Sequence, residues 1–305
     1  MQEKLDKLEL EARLLEVSEQ ECDRLLKQAG AYTRRFVAGL ESAPTYVAGA
    51  CNPDDWSAEF PENPSGFGEL LDFVSSNVDV LGINPAGGGH LGYIPGGGIF
   101  PSALGDFLAD VGNRYSGVEF ASPGAVQMER SLVRWMTRLV GCPDSAGGDL
   151  TSGGSMANLT GLVTAREAKE IASRDIHKSS IYLTAQAHHC IDKALRVAGM
   201  AECPRRIVPM DDRFRMQPEA LSRMVRHDRV DGLAPWLVVA SAGTTDTGAV
   251  DPVPDIAAVA HEDRLCLLLD ASFCVFFLLC DEGLSVLKGL DQADSFVMDP
   301  HKWLF

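Results

Sequence analysis

Several features that would place a chain outside the ordinary globular class are missing or scarce here. Cysteine pairs are absent as motifs: no C-x-x-C and no zinc-ligand spacing occurs, so no zinc module is expected. The eight cysteines present (Cys22, Cys51, Cys142, Cys190, Cys203, Cys266, Cys274, Cys280), several of them in apolar runs, read as reduced core thiols of a cytoplasmic protein. Basic residues are scarce, 27 against 43 acidic ones for a net charge of -16, which argues against nucleic acid as a partner. Long hydrophobic runs are lacking too. The longest, 265–280, is interrupted by Asp270 and is too short to span a bilayer, so no membrane partner is expected. The first sixteen residues are charged helix material without an apolar signal core, and no internal repeat is apparent. What remains is 305 residues, 46% hydrophobic and 23% charged, enough to bury a large core in one or two domains.

The chain begins as helix. Ser18-Glu19-Gln20-Glu21 reads as a capping box, and Leu25, Leu26, Ala29, Tyr32 and Phe36 follow at helical spacing until Gly39 and Pro44 stop them. Residues 41–66, rich in Pro, Asn, Asp and Gly, read as a long irregular connection. This N-terminal part has an apolar stripe and no core of its own, so it must pack on the rest of the chain or on a partner subunit. Next comes a glycine-rich stretch, 87–98, that matches neither G-x-G-x-x-G nor a P-loop. Two readings stand for it: a mobile surface loop, or a substrate-side lip with His90 and Tyr93 as its polar anchors. Helices are expected over 101–115 and 123–140, the second capped by Ser122 with Pro123 at its first position.

From residue 149 strand, loop and helix alternate. Strands are predicted at 180–184, 206–210, 236–241, 265–269 and 295–298, and helices at 155–172, 189–199, 218–229 and 254–262. That alternation defines an α/β fold, a mainly parallel sheet flanked by helices on both faces.

Five constellations fall where such a sheet keeps its ligands, past the strand ends. Gly153-Gly154-Ser155 opens a helix whose free N–H groups and dipole suit a phosphate, although an ordinary capped helix looks the same. His188, in Gln186-Ala187-His188-His189, can lie flat on a planar cofactor or act as a structural hydrogen-bonder. The Thr244-Thr245-Asp246-Thr247 turn offers hydroxyls, and Thr is also a common turn former. Asp270 ends an apolar strand and must take up a proton or meet a cation, such as a protonated heteroaromatic nitrogen or a structural partner. Finally, Asp299-Pro300-His301-Lys302 stops the last strand and sets an amine just beyond it, where partial desolvation makes a lysine nucleophilic.

In this order a phosphate cradle, a stacking imidazole, an anion for a ring nitrogen and a strand-end lysine describe a pyridoxal-phosphate site. The chain resembles the group II pyridoxal-phosphate-dependent amino-acid decarboxylases, the aromatic-L-amino-acid and glutamate decarboxylase family. The His301-Lys302 segment carries this resemblance, as do the 25-residue step from Thr245 to Asp270 and the 32-residue step on to Lys302. It implies a fold type I (aspartate aminotransferase-like) large domain over 86–305, an N-terminal helical segment over 1–85 that wraps a homodimer partner, and pyridoxal 5'-phosphate as cofactor. By position it implies Lys302 as the Schiff-base lysine, Asp270 as partner of the ring nitrogen and His188 stacked on the ring. Gly154 and Ser155 would hold the phosphate, Thr245, Asp299 and His301 would flank the site, and Gly96 would join His90 and Tyr93 at the substrate. The implied reaction is decarboxylation of an L-amino acid to its amine. A carbon–carbon lyase, an aldehyde-forming relative and an inactive homologue acting by subunit association are the alternatives.

Two departures stand out. Family members continue past the lysine with further strands, a catalytic loop and a small C-terminal domain, so an incomplete large domain is expected here. Where the family shows Asp-Ala-Ala-Tyr-Gly-Gly, this chain has Asp270-Ala271-Ser272-Phe273-Cys274-Val275, expected to crowd a tight backbone passage.

Overall fold

Apolar residues on both faces of short strands organise the larger part of the chain. The computed structural model describes residues 1–13, 16–52, 56, 62–93 and 96–304, and it divides into two compact units, Met1–Tyr93 and Ile94–Phe305.

The first unit holds helices α1 (Gln2–Ala12), α2 (Glu19–Gly39) and α3 (Phe67–Asn77), with strands β1 (Tyr46–Val47) and β2 (Gly82–Ile83). Ser18 caps α2 as expected, its hydroxyl accepting from the Glu21 amide at 3.2 Å. Three elements, β1, β2 and α3, depart from the sequence reading. The connection expected to be irregular contains β1, which pairs antiparallel with β2 in the register Tyr46–Ile83. The helix α3 was not anticipated; the Glu69 carboxylate accepts from the Gly66 amide at 3.1 Å and fixes its start. None of the three helices buries a residue fully among those described, which fits a stripe without its own core.

The second unit begins with α4 (Phe100–Gly112) and α5 (Pro123–Val140). It continues as α6 (Gly154–Ala168), β3 (Ile181–Leu183), α7 (Cys190–Val197), β4 (Arg205–Ile207), α8 (Pro218–Val230) and β5 (Leu237–Ser241). After these come α9 (Val253–Glu262), β6 (Cys266–Asp270), α10 (Asp281–Val286), β7 (Ser295–Val297) and α11 (Pro300–Trp303). The α6 helix stops four residues short of the expected 172, since Glu170 takes a left-handed φ of 52° just past its end. The β4 strand sits earlier than the predicted 206–210, ending before Pro209, which has no amide to donate.

All five strands of the larger sheet run parallel in the order β4-β3-β5-β6-β7. Alternate residues feed two cores, as expected of a sheet covered on both sides. Tyr182, Val238, Ala240, Leu267 and Leu269 join α8 and α9 on one face. Ile181, Leu183, Leu237, Val239 and Leu268 join α6 and α7 on the other. The chain moves outward from β3 to β4, then returns to lay β5 on the opposite side of β3. That reversal falls between β3 and β5, and it is at the carboxyl ends of strands beside such a reversal that α/β sheets bind ligands.

Candidate active site

The carboxyl ends of β3, β5, β6 and β7 deliver the side chains singled out from sequence. Asp270 is level with Ser241 of β5 and Val297 of β7, so three strands finish together. By alternation Asp270 shares a face with Cys266 and Leu268 and therefore looks toward α6 and α7. Its two oxygens are both engaged. Oδ1 accepts from the Ser272 amide at 3.2 Å, and Oδ2 accepts from the Asn158 side-chain amide at 3.3 Å.

His188 follows β3, and its Nδ1 accepts from the Cys190 amide at 3.3 Å at the start of α7. Its ring lies 4.1 Å from that of His189, centroid to centroid. Burial holds the His188 pKa below the ordinary imidazole value; the neighbouring His189 and Lys302 act in the same direction, and Asp270 opposes them. His188 is therefore neutral at neutral pH. The Cys190 thiol is pushed up to about 11, chiefly by burial and then by the Asp270 charge.

Lys302 lies on α11. Pro300, expected only to stop the strand, also opens this helical turn, and Asp299 caps it by accepting from the His301 amide at 3.1 Å. Lys302 is half-buried and forms no ion pair among the described residues. Its charge is felt at His188, Cys190 and Cys274. The structure thus places Asp270 and Lys302 within electrostatic reach of both His188 and Cys190.

At the head of α6, Gly153 adopts φ of 147°, a conformation closed to side-chain-bearing residues, and this lets the chain turn into the helix with Gly154 and Ser155 in its first turn. First-turn N–H groups have no partner within a helix and suit an anion. A Cβ added at Gly154 would come 3.6 Å from the Ser272 hydroxyl, which ties the cradle to the segment after Asp270. Thr245 is exposed on its turn, while Thr244 is buried and its hydroxyl lies 2.7 Å from that of Thr247. His90 and Tyr93 belong to the first unit and Gly96 to the second; Ile94 and Pro95, in the same glycine-rich stretch, lie outside the described residues.

The Cys274-Val275 departure is taken up by packing. Val275 is fully buried, and Cys274 fills the space over Gly243, which has φ of 98° and no room for a Cβ. The expectation of core thiols holds for Cys190, Cys203 and Cys266, whereas Cys22, Cys51 and Cys280 are exposed; all eight are free.

Sequence reading passed over Asn158 and Ser272. Asn158 is 1% exposed and occupies the first position of an i, i+4, i+7 stripe with Leu162 and Ala165. A polar residue at a core position of an amphipathic helix was the available signal. Among the described residues, the buried Asn158 Oδ1 and Ser272 Oγ have no hydrogen-bond partner. Buried polar atoms left unpaired beside a carboxylate and a helix start fit a polar, anionic ligand.

A doubly wound sheet with these groups along its carboxyl edge is the layout of a coenzyme-binding α/β domain. Residues 89–305 match the family model described as the pyridoxal-dependent decarboxylase conserved domain, and the chain belongs to that family. It is 37% identical over 245 residues to an aromatic-L-amino-acid decarboxylase of Bacillus atrophaeus, covering 80% of this chain and 51% of the relative. It is 30% identical over 268 residues to a histidine decarboxylase of Mus musculus, covering 81% and 40%. The solved structure of Oryza sativa TDC with PLP and tryptamine superposes with a TM-score of 0.86 at 25% identity, covering 94% of this chain and 64% of that one. The chain thus spans about half or less of the length of these curated relatives.

Proposed function

We propose that this chain forms the cofactor-binding part of a pyridoxal 5'-phosphate-dependent carboxy-lyase that converts an L-amino acid to its amine and CO2. The observation that carries the reading is the convergence of Lys302, Asp270 and His188 at the carboxyl ends of β7, β6 and β3, within a chain of the pyridoxal-dependent decarboxylase family. When bound, the cofactor supplies an electron sink for the charge left at the α-carbon as CO2 departs. In this reading Lys302 anchors the cofactor covalently through its amine. Asp270 holds a proton on the ring nitrogen. His188, kept neutral by burial, covers the ring face without adding a positive charge. The first-turn amides of α6 and the Ser155 hydroxyl hold the phosphate, and Thr245, Asp299 and His301 flank the ring.

His90, Tyr93 and Gly96 are the proposed substrate contacts. A homodimer is supported by α4, whose Phe100, Leu104, Phe107, Leu108 and Val111 are all exposed, a face that a second copy would cover. The helical segment 1–85 would wrap that copy, leaving 86–305 as the cofactor domain. Eight free thiols support a cytoplasmic location.

The test is borohydride reduction of the chain with pyridoxal 5'-phosphate, followed by peptide mass analysis and by CO2 release from aromatic L-amino acids and histidine. A pyridoxyl group on Lys302, lost in Lys302→Ala, supports the reading. A modification spread over surface lysines with 302 untouched overturns it.

A further inference from the structure

We infer that Asn158 is a positioning residue for the cofactor, acting through Asp270; the inference rests on the cofactor reading above. A carboxylate at a strand end can rotate about its terminal torsion and present either oxygen, edge or face. Only one plane aims it at a ring nitrogen. The Ser272 amide on Oδ1 is local, two residues along the chain, and moves with the strand end. The Asn158 amide on Oδ2 comes from α6, 112 residues away in sequence, and fixes the carboxylate relative to a separate element.

That separate element is the one whose first turn forms the anion cradle. The Asn158 amide nitrogen also lies 3.2 Å from the Gly154 carbonyl and 3.4 Å from the Cys190 sulfur, so its two N–H bonds are shared among three acceptors. Gly154 belongs to the cradle, and Cys190 follows the His188-His189 turn. One buried side chain therefore links the three pieces that would meet the phosphate, the ring face and the ring nitrogen. The carboxylate also sets the amide's orientation, because the flipped amide would face two oxygens toward each other.

A leucine at this position would suit the Leu162–Ala165 stripe better and would stabilise α6 more than asparagine does. A polar amide buried to 1% exposure with its own Oδ1 unpaired is a cost to the fold. The compensation lies in what Asp270 does.

The experiment is equilibrium binding of pyridoxal 5'-phosphate to the chain, to Asn158→Leu, to Asp270→Asn and to the double variant, with far-ultraviolet circular dichroism as a folding control. Asn158→Leu is expected to fold and to bind the cofactor about tenfold more weakly, equivalent to about 1.4 kcal/mol. In the Asp270→Asn background the same substitution is expected to change affinity by less than about twofold, since the carboxylate it positions is gone. Asn158→Ala, which leaves a small space and does not overfill the site, serves if the leucine variant does not fold. Unchanged affinity in the single variant, or losses that multiply in the double variant, overturns the inference while leaving the cofactor reading intact. Failure of the parent chain to bind the cofactor overturns both.

Discussion

Replacing Gly243 by alanine probes the join between the β5 turn and the segment after Asp270. Gly243 has φ of 98°, and forcing a side-chain-bearing residue into such a region costs about 1–3 kcal/mol. A Cβ there would also stand 2.9 Å from the Cys274 Cβ and 3.1 Å from a Phe273 ring carbon, and would overlap the Cys274 sulfur. Favourable carbon contacts begin near 3.5 Å, so something must move, and overpacking of this kind costs about 1–3 kcal/mol. The two effects together amount to about 2–6 kcal/mol. For a unit of this size the lower bound corresponds to a fall of about 4–8 °C in midpoint. The assay is urea unfolding of Gly243→Ala, Cys274→Gly and the double variant, followed by fluorescence. Cys274→Gly should recover the overpacking share and leave the backbone share, so the double variant should lie above Gly243→Ala alone. Stability of Gly243→Ala within about 0.5 kcal/mol of the parent, or strictly additive losses in the pair, would refute the packing argument.

Further expectations concern titration and burial. His188 has a depressed folded pKa, so it contributes stability above its unfolded value of about 6.5 that is lost as pH falls below it. Urea midpoints of His188→Phe should accordingly drop less between pH 7 and pH 5 than those of the parent. Cys274 and Cys190 are both pushed up to about 11, by burial first. Iodoacetamide at pH 8 should therefore label the exposed Cys22, Cys51 and Cys280 well before either, as read by peptide mass. Tyr182→Phe removes a 2.6 Å hydrogen bond to Asp228, itself paired with Arg206, and should cost about 1–3 kcal/mol in denaturant unfolding.

The larger unit was legible because its strands are apolar on both faces and its helices alternate with them, so periodicity and punctuation agreed. Five strands and six helices were anticipated in place, some with misplaced ends such as the α6 terminus at Ala168, whereas the short helices α10 and α11 were not anticipated. The first unit was less legible. A two-residue strand such as β1 leaves no periodic trace, and α3 was missed although Glu69 and the apolar Phe67, Leu70, Leu71 and Val74 were present. At the site, Asp270 and Lys302 announced themselves as charges at the ends of apolar strands. Asn158 did not, because its partner lies 112 residues away and only the folded sheet brings them together.

The common register of Ser241, Asp270 and Val297 has a genetic corollary. Side chains alternate, so Asp270 and its neighbour Leu269 point to opposite sides of the same ribbon. Deleting one codon inside β6 would drive a carboxylate in among α8 and α9 and lift an aliphatic residue toward α6 and α7. A point substitution alters one side of this strand at a time, whereas any change in its reading length would disturb the proposed cofactor site and the interior packing in a single step.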